Sequence, residues 1–263
     1  MGMFTLPESP RWLVKNGAPD RAQAVLAKIG GRQYAASALA DIAGTLADEH
    51  QKVNYRELIE PRMRKVLAIG IILAVFQQWC GINVIFNYAD KIFLAAGYDI
   101  SDVLNNIVWT GSVNFAFTLV AMGIVDRGGR RPLMLLGSAG LTAIYVLMGY
   151  CYFTGIQGLP MLLLVLAAIG CYAMSLAPVT WVVISEIFPN RIRGAAISTA
   201  VMSLWIACFI LTYTFPILNR HLGPAGTFWL YAGICLAGFI FIIFTLPETK
   251  GKTLEQIERE LAD

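Results

Sequence analysis

The chain has 263 residues, of which 57% are hydrophobic and only 14% charged, and its mean hydropathy is +0.63. This balance excludes an ordinary soluble domain and places the protein in a membrane. The net charge of +3 is small and dispersed, so no nucleic-acid partner is expected.

Residues 1–60 differ in character from the rest. Met1 to Trp12 has an acidic, proline-containing start in place of a basic stretch followed by an apolar one, so no signal peptide is expected. Ser9 can cap a first helix with Pro10 at its first position, and Gly17 can close it. A second helix opens near Asp20, with Val25, Leu26 and Ile29 on one face and Arg21, Lys28 and Arg32 elsewhere. A third runs from about Ala35 to His50 with Leu39, Ile42 and Leu46 inward. None is long or apolar enough to cross a bilayer, so this region reads as a helical layer on the aqueous side.

From Pro61 onward, long apolar runs alternate with short polar connections. Six spans are predicted, at about 65–88, 103–125, 132–154, 159–185, 194–218 and 226–246, followed by a tail over 247–263. The domains are thus 1–60, 61–246 and 247–263. Of the twenty Lys and Arg residues, eighteen fall in the N-terminal region, the 126–131 and 186–193 loops and the tail, while the opposite loops hold only Lys91 and Arg220. Basic residues accumulate on the cytoplasmic side, which puts both termini in the cytoplasm and the chain in the cell membrane as a multi-pass protein.

The first span carries most of the polar signal. Phe76-Gln77-Gln78-Trp79-Cys80-Gly81-Ile82-Asn83-Val84-Ile85-Phe86-Asn87-Tyr88 sets four amides in an apolar run. An unpaired amide in hydrocarbon costs several kcal/mol, so these groups need partners on neighbouring helices or on a polar ligand. Amides within membranes often serve as interhelical glue, which is the competing reading. Gly81 is a weak point between the Gln pair and Asn83.

The cysteines Cys80, Cys151, Cys171, Cys208 and Cys235 stand singly in apolar runs, so they read as small hydrophobes, with no metal or cofactor expected. Catalysis is not expected either. The two histidines, His50 and His221, lie in polar segments, and no nucleophile with an adjacent base can be assembled.

The cytoplasmic connections carry acids beside arginines. They read Pro7-Glu8-Ser9-Pro10-Arg11, Asp126-Arg127-Gly128-Gly129-Arg130-Arg131, Ser185-Glu186-Ile187-Phe188-Pro189-Asn190-Arg191-Ile192-Arg193-Gly194 and Pro247-Glu248-Thr249-Lys250-Gly251. Positive-inside anchoring accounts for the arginines and leaves the acids unexplained. A lattice of ion pairs is expected, with Arg130, Arg131 and Arg193 meeting Glu186, Asp126 and the Glu248 or Glu8 segments.

Together with the Gln77-Gln78-x-x-Gly81-Ile82-Asn83 stretch, these motifs resemble the sugar porter branch of the major facilitator superfamily, over essentially the whole chain. The match is to the second half of such a transporter: the end of the sixth helix, the cytoplasmic helical linker, helices seven to twelve and the tail. The resemblance implies an all-α membrane fold with six transmembrane helices preceded by a cytoplasmic helical segment. It also implies a sugar as ligand, alternating access as mechanism and an N-terminal half as partner. Sugar contacts carried over by motif are Gln77, Gln78, Asn83, Asn114 and Trp181, with Tyr88 as an outer gate and Pro178 bending a gating helix. Amides suit a sugar because they donate and accept without the desolvation cost of a charge.

Departures from the family pattern leave the sugar open. Leu204 and Cys208 stand where an amide is common, Ser175-Leu176-Ala177-Pro178 where glycines are frequent, and Asn87 where many members have an aromatic. No Asp, Glu, Lys, Arg or His falls inside the apolar runs from Val66 onward, so this half offers no proton site, and symport and facilitated diffusion both stay open. A truncated fragment without transport activity is the alternative reading. In either case the polar face of an isolated half is expected to be costly in lipid.

Overall fold

The computed structural model describes residues 7–49, 60–189 and 192–252, and every regular element among them is a helix. The chain divides into two compact units, Met1–Asn54 and Tyr55–Asp263.

In the first unit, α1 spans Pro10–Lys15 and begins as its sequence demands, with the Ser9 hydroxyl accepting from the Trp12 N–H and Pro10 in the first turn. It ends with the Gly17 N–H bonded to the Val14 carbonyl at 3.1 Å and the Ala18 N–H to the Leu13 carbonyl at 2.9 Å. This double closure satisfies carbonyls that the helix end would otherwise strand. Helix α2, Pro19–Glu49, is broken at Gly31, so the two expected helices are present but abut with no loop between them. Ala22, Leu26 and Ala35 form its buried positions. Ile29, expected on the inner face, is 70% exposed because the break at Gly31 ends that face just beyond Leu26. Leu39 and Ile42 are half-buried. The Leu46 side chain and His50 fall outside the described set.

The second unit opens with α3, Pro61–Trp79, whose continuation is split into α4, Ile82–Asn87, and α5, Ala89–Ala95. Then follow α6 (Ile100–Gly128), α7 (Arg130–Thr154), α8 (Leu159–Met174), α9 (Leu176–Glu186) and α10 (Arg193–Thr245). Among the described residues, five segments are long and apolar enough to cross a membrane: Met63–Asn87, Asp102–Val125, Arg130–Thr154, Leu159–Glu186 and Arg193–Thr245. The sixth expected span lies inside the last of these. At 53 residues, α10 would measure about 80 Å if straight, more than twice the hydrocarbon thickness. It is not straight: Gly223 adopts φ 69° and ψ 174°, a conformation open to glycine, and Pro224 starts the second arm. The Trp79 indole N–H donates to the Ala207 carbonyl at 3.1 Å, and the Cys235 thiol to the Cys80 carbonyl at 3.7 Å. Ala207 and Cys235 are about 42 Å apart along an uninterrupted helix, yet they meet neighbouring residues. The two arms therefore fold back on each other, and six apolar helical segments result.

Breaks within the other spans follow local chemistry. Gly81 takes φ 87° and ψ −4°, and a Cβ there would approach the Tyr231 ring to 2.9 Å, so both conformation and packing require glycine. Between α8 and α9 the interruption falls on Ser175, with φ −126° and ψ −89°, three residues before Pro178. Pro178 has no N–H, and its ring clashes with the carbonyl four residues earlier, so the helix gives way upstream of the proline itself. The Ser175 hydroxyl covers part of the defect by donating to the Cys171 carbonyl at 2.5 Å. The core packs around these breaks, with Tyr145, Phe228 and Tyr231 buried and their ring centroids 5.8–6.5 Å apart.

At the end carrying the charged motifs, α7 starts at Gly129, which has no side chain to cap it. Glu248 performs that task from the far end of the unit: its carboxylate accepts from the Arg130 N–H at 3.0 Å and the Arg131 N–H at 3.1 Å. A carboxylate at a helix N-terminus satisfies stranded donors and is attracted by the helix dipole.

Two substitutions test these features. Gly81→Ala is expected to cost about 1–2 kcal/mol for its left-handed conformation and about 1–3 kcal/mol more for crowding the Tyr231 ring. Gly111→Ala, at a helical position with open space around it, serves as the stable control in the same thermal unfolding assay. Glu248→Ala is expected to cost about 0.5–2 kcal/mol through loss of the cap, with Glu248→Gln recovering part of it. An unchanged melting temperature in Glu248→Ala refutes the cap.

Candidate functional site

Gln77 and Gln78 end α3 and are 4% and 6% exposed, deep among apolar neighbours. In an unbroken helix Asn83, five residues beyond Gln78, would be turned about 140° away from it. The reversal at Gly81 cancels this rotation and returns the Asn83 amide to the Gln78 side chain.

The three amides form a directed chain. Asn83 Nδ2 donates to Gln78 Oε1, Gln78 Nε2 donates to Gln77 Oε1 at 2.7 Å, and Gln77 Nε2 donates to Tyr172 Oη at 2.6 Å. Asn83 Nδ2 also approaches Cys208 Sγ at 3.7 Å, so its donors are engaged on both sides. One N–H each of Gln77 and Gln78, the Oδ1 of Asn83 and the Tyr172 hydroxyl proton remain unspent among the described residues. This arrangement offers donors and acceptors side by side without a formal charge.

The other expected contacts take different positions. Tyr88, between α4 and α5, donates its hydroxyl to the Thr212 carbonyl at 3.0 Å, and its ring lies 4.6 Å from that of Phe215, which docks it on the first arm of α10. Lys91 Nζ sits 5.0 Å above the same ring. Trp181, on α9 one turn beyond Pro178, is 43% exposed, and its indole N–H has no partner among the described residues. Asn114, half-buried on α6, accepts at its backbone carbonyl from the Thr118 hydroxyl, while its amide is unengaged among the described residues. No hydrogen bond there joins Trp181 or Asn114 to the amide chain. Trp79 and Trp229 spend their indole N–H groups on the carbonyls of Ala207 and Val146.

The charged end differs from the expected lattice in its pairings. Arg130 Nη2 meets Glu186 Oε1 at 3.1 Å, as anticipated, and Glu186 Oε2 accepts from the Thr249 hydroxyl at 2.6 Å. Arg131 and Arg193 do otherwise. Arg131 Nη2 donates to the Ile243 carbonyl at 2.8 Å and Arg193 Nε to the Phe188 carbonyl at 3.1 Å. Lys250 Nζ likewise donates to the Arg127 carbonyl at 2.6 Å. Helix C-termini strand carbonyls and carry partial negative charge, so guanidinium and ammonium donors settle there in place of a carboxylate. Glu248 accepts from the backbone N–H groups of Arg130, Arg131 and Lys250. The Asp126 side chain lies outside the described set, and Glu8 and Arg11 belong to the first unit, where Glu8 is exposed.

Two partners went unread in the sequence. Tyr172 lies nine residues before Trp181, about 180° away on a regular helix, and only the break at Ser175 changes that phase. Its signal was a phenol in an apolar run, where a buried hydroxyl requires a partner. Thr249 carried no signal beyond its place beside Glu248.

The chain matches the family model described as "Sugar (and other) transporter" over residues 1–261. It is 36% identical to the D-xylose-proton symporter of Escherichia coli (strain K12), over 98% of this chain and 53% of that protein. It is 37% identical to the arabinose-proton symporter of Bacillus subtilis (strain 168), over 98% of this chain and 55% of that protein. Among solved structures it is similar to the proton:xylose symporter XylE bound to 6-bromo-6-deoxy-D-glucose, with TM-score 0.79 and 36% identity over 98% of this chain and 55% of that one. The chain therefore spans about half the length of the relatives it matches. With an all-helical membrane fold, an amide-rich break in its first span and agreement along nearly its whole length, the chain belongs to the sugar (and other) transporter family, the sugar porters of the major facilitator superfamily.

Proposed function

We propose that this chain forms the substrate-binding half of a sugar transporter that works by alternating access, with a pentose or hexose as its ligand. The observation that carries the reading is the directed chain Asn83–Gln78–Gln77–Tyr172, buried among apolar helices yet with donors and an acceptor unspent. A polyhydroxylated ligand supplies partners for those groups and brings no charge into hydrocarbon. The half-length match to a D-xylose and an arabinose symporter supports the same substrate class.

In this reading Gln77, Gln78 and Asn83 bind sugar hydroxyls, Asn114 adds a contact from α6, and Trp181 lies under the apolar C–H face of the ring with one N–H to donate. Tyr88 closes the outer mouth by docking and undocking from the Thr212–Phe215 turn of α10. The break beside Pro178 lets α9 move against α8. The Glu186–Arg130 pair and the Glu248 cap tie helix ends together on the cytoplasmic side and favour the state closed there. The complementary six-helix half supplies the facing wall of the cavity, and any proton coupling uses an acid outside the spans of this chain. Both chain ends face the cytoplasm, as the distribution of lysine and arginine requires.

In lipid nanodiscs the full chain is expected to bind D-xylose saturably, read by tryptophan fluorescence. Gln78→Ala and Asn83→Ala each cost about 1–3 kcal/mol of binding by removing hydrogen bonds to a desolvated ligand. Affinities equal to the parent chain in both variants refute the assignment.

A second experiment separates this reading from that of a fragment without function and from that of a self-sufficient carrier. Liposomes containing this polypeptide alone are expected to show no saturable uptake of labelled hexose or pentose, because alternating access needs two halves rocking about the site. Saturable uptake blocked by Gln78→Ala shows a working half-transporter. Loss of D-xylose binding together with uptake favours the non-transporting fragment.

A further inference from the structure

The amide chain needs an anchor outside itself. Each primary amide offers N–H donors at one end and a carbonyl acceptor at the other, so a row of amides can run either way. Here every donor points toward α8: Asn83 to Gln78, Gln78 to Gln77, and Gln77 to the Tyr172 hydroxyl. The Asn83 end is weakly held. Its other neighbour there is the Cys208 thiol at 3.7 Å, a weak donor and weak acceptor that tolerates either end of an amide. The Tyr172 end is held by a phenol, which also takes either end of an amide but hydrogen-bonds more strongly than a thiol. Its hydroxyl is 2.6 Å from Gln77 Nε2, at the last turn of α8 where the chain breaks, and the residue is only 9% exposed.

We infer that Tyr172 is a positioning residue for the sugar site, its hydroxyl holding the Gln77 amide in place and through it anchoring the amide chain that faces the ligand. This deepens the sugar-binding reading and rests on it. With Tyr172 as acceptor, Gln77 must turn its carbonyl to Gln78, which turns its own carbonyl to Asn83. The ligand then meets N–H groups of the two glutamines and the Oδ1 of Asn83. Replacing Tyr172 by phenylalanine removes the acceptor and leaves Gln77 Nε2 buried without a partner, a state that buried donors avoid. Rotating Gln77 alone sets its N–H groups against those of Gln78, so the amides must reverse together or separate. Either response exchanges donors for acceptors on the sugar-facing side.

The test uses the full chain in nanodiscs titrated with D-xylose. Tyr172→Phe is expected to weaken binding about five- to tenfold, the factor for one net hydrogen bond. In a Gln77→Ala background, where no amide remains at that position to hold, the same substitution is expected to change binding by less than about twofold. The melting temperatures of the four proteins complete a cycle that needs no sugar, and the two substitutions are expected to be non-additive in it. Equal D-xylose affinity in parent and Tyr172→Phe overturns the inference while leaving the sugar reading intact. An equal loss in both backgrounds overturns it too, since Tyr172 then acts without Gln77, and additive melting temperatures exclude the coupling itself. No saturable binding by the parent chain overturns the sugar reading, and the inference with it.

Discussion

An amide side chain placed in a bundle of apolar helices has to find partners, and much of the second unit is arranged around that requirement. Gln77 and Gln78 bond each other within α3, but Asn83 could not reach Gln78 on a continuous helix, because it would be turned about 140° away. The left-handed residue at Gly81 turns the chain so that it can. Tyr231 then packs into the space that only a glycine leaves, so the polar chain and the apolar core depend on the same atom-sized gap. Loss of regular helix at this point frees backbone groups as well. The Cys80 carbonyl takes the Cys235 thiol and the Gln77 carbonyl the Cys80 thiol, which is how a membrane helix tolerates a break.

The charged end solves the same problem for helix termini. Stranded N–H groups of α7 are met by Glu248, stranded carbonyls of α6 and α10 by Lys250 and Arg131, and the Phe188 carbonyl just beyond α9 by Arg193. The motif residues therefore act largely as caps supplied from distant parts of the chain, with Arg130 and Glu186 forming an ion pair. Caps of this sort couple positions: moving the tail away from α7 exposes two backbone donors at a helix N-terminus, which carries a partial positive charge. Under the proposed alternating access, a gate at this end would open against hydrogen bonds to backbone as well as Coulomb attraction.

The spans were legible in the sequence because hydrocarbon thickness imposes a length that composition reveals, and the breaks at Gly17, Gly81 and near Pro178 were legible because glycine and proline act locally. Which atoms meet was less legible. Arg131 and Arg193 were expected to find carboxylates, since sequence shows charges and does not show stranded carbonyls. Tyr172 escaped because its relation to Gln77 joins α8 to α3, and its phase relative to Trp181 depends on a break displaced from Pro178 to Ser175. The hairpin in α10 was read from the polar stretch around Arg220, while its turning point at Gly223 follows from the left-handed conformation.

The expectation that an isolated half would carry costly unsatisfied amides needs revision for its central residues. Gln77, Gln78 and Asn83 spend hydrogen bonds on one another and on Tyr172, so the chain of amides is stable within this half before any ligand or facing wall arrives. Asn114 and Trp181 are the members whose polar groups stay unengaged among the described residues, and they sit on α6 and α9, away from that chain of bonds. The site is thus divided into a preorganised part, whose donors are already aimed, and an open part that a ligand must complete. Preorganisation of this kind would lower the ordering cost of the proposed sugar binding, because the amides would lose little freedom when a ligand replaced solvent or lipid at their remaining valences. Under the proposed function it would also assign selectivity to geometry fixed within one half, leaving the proposed second half free to move without disturbing the groups that recognise the ligand.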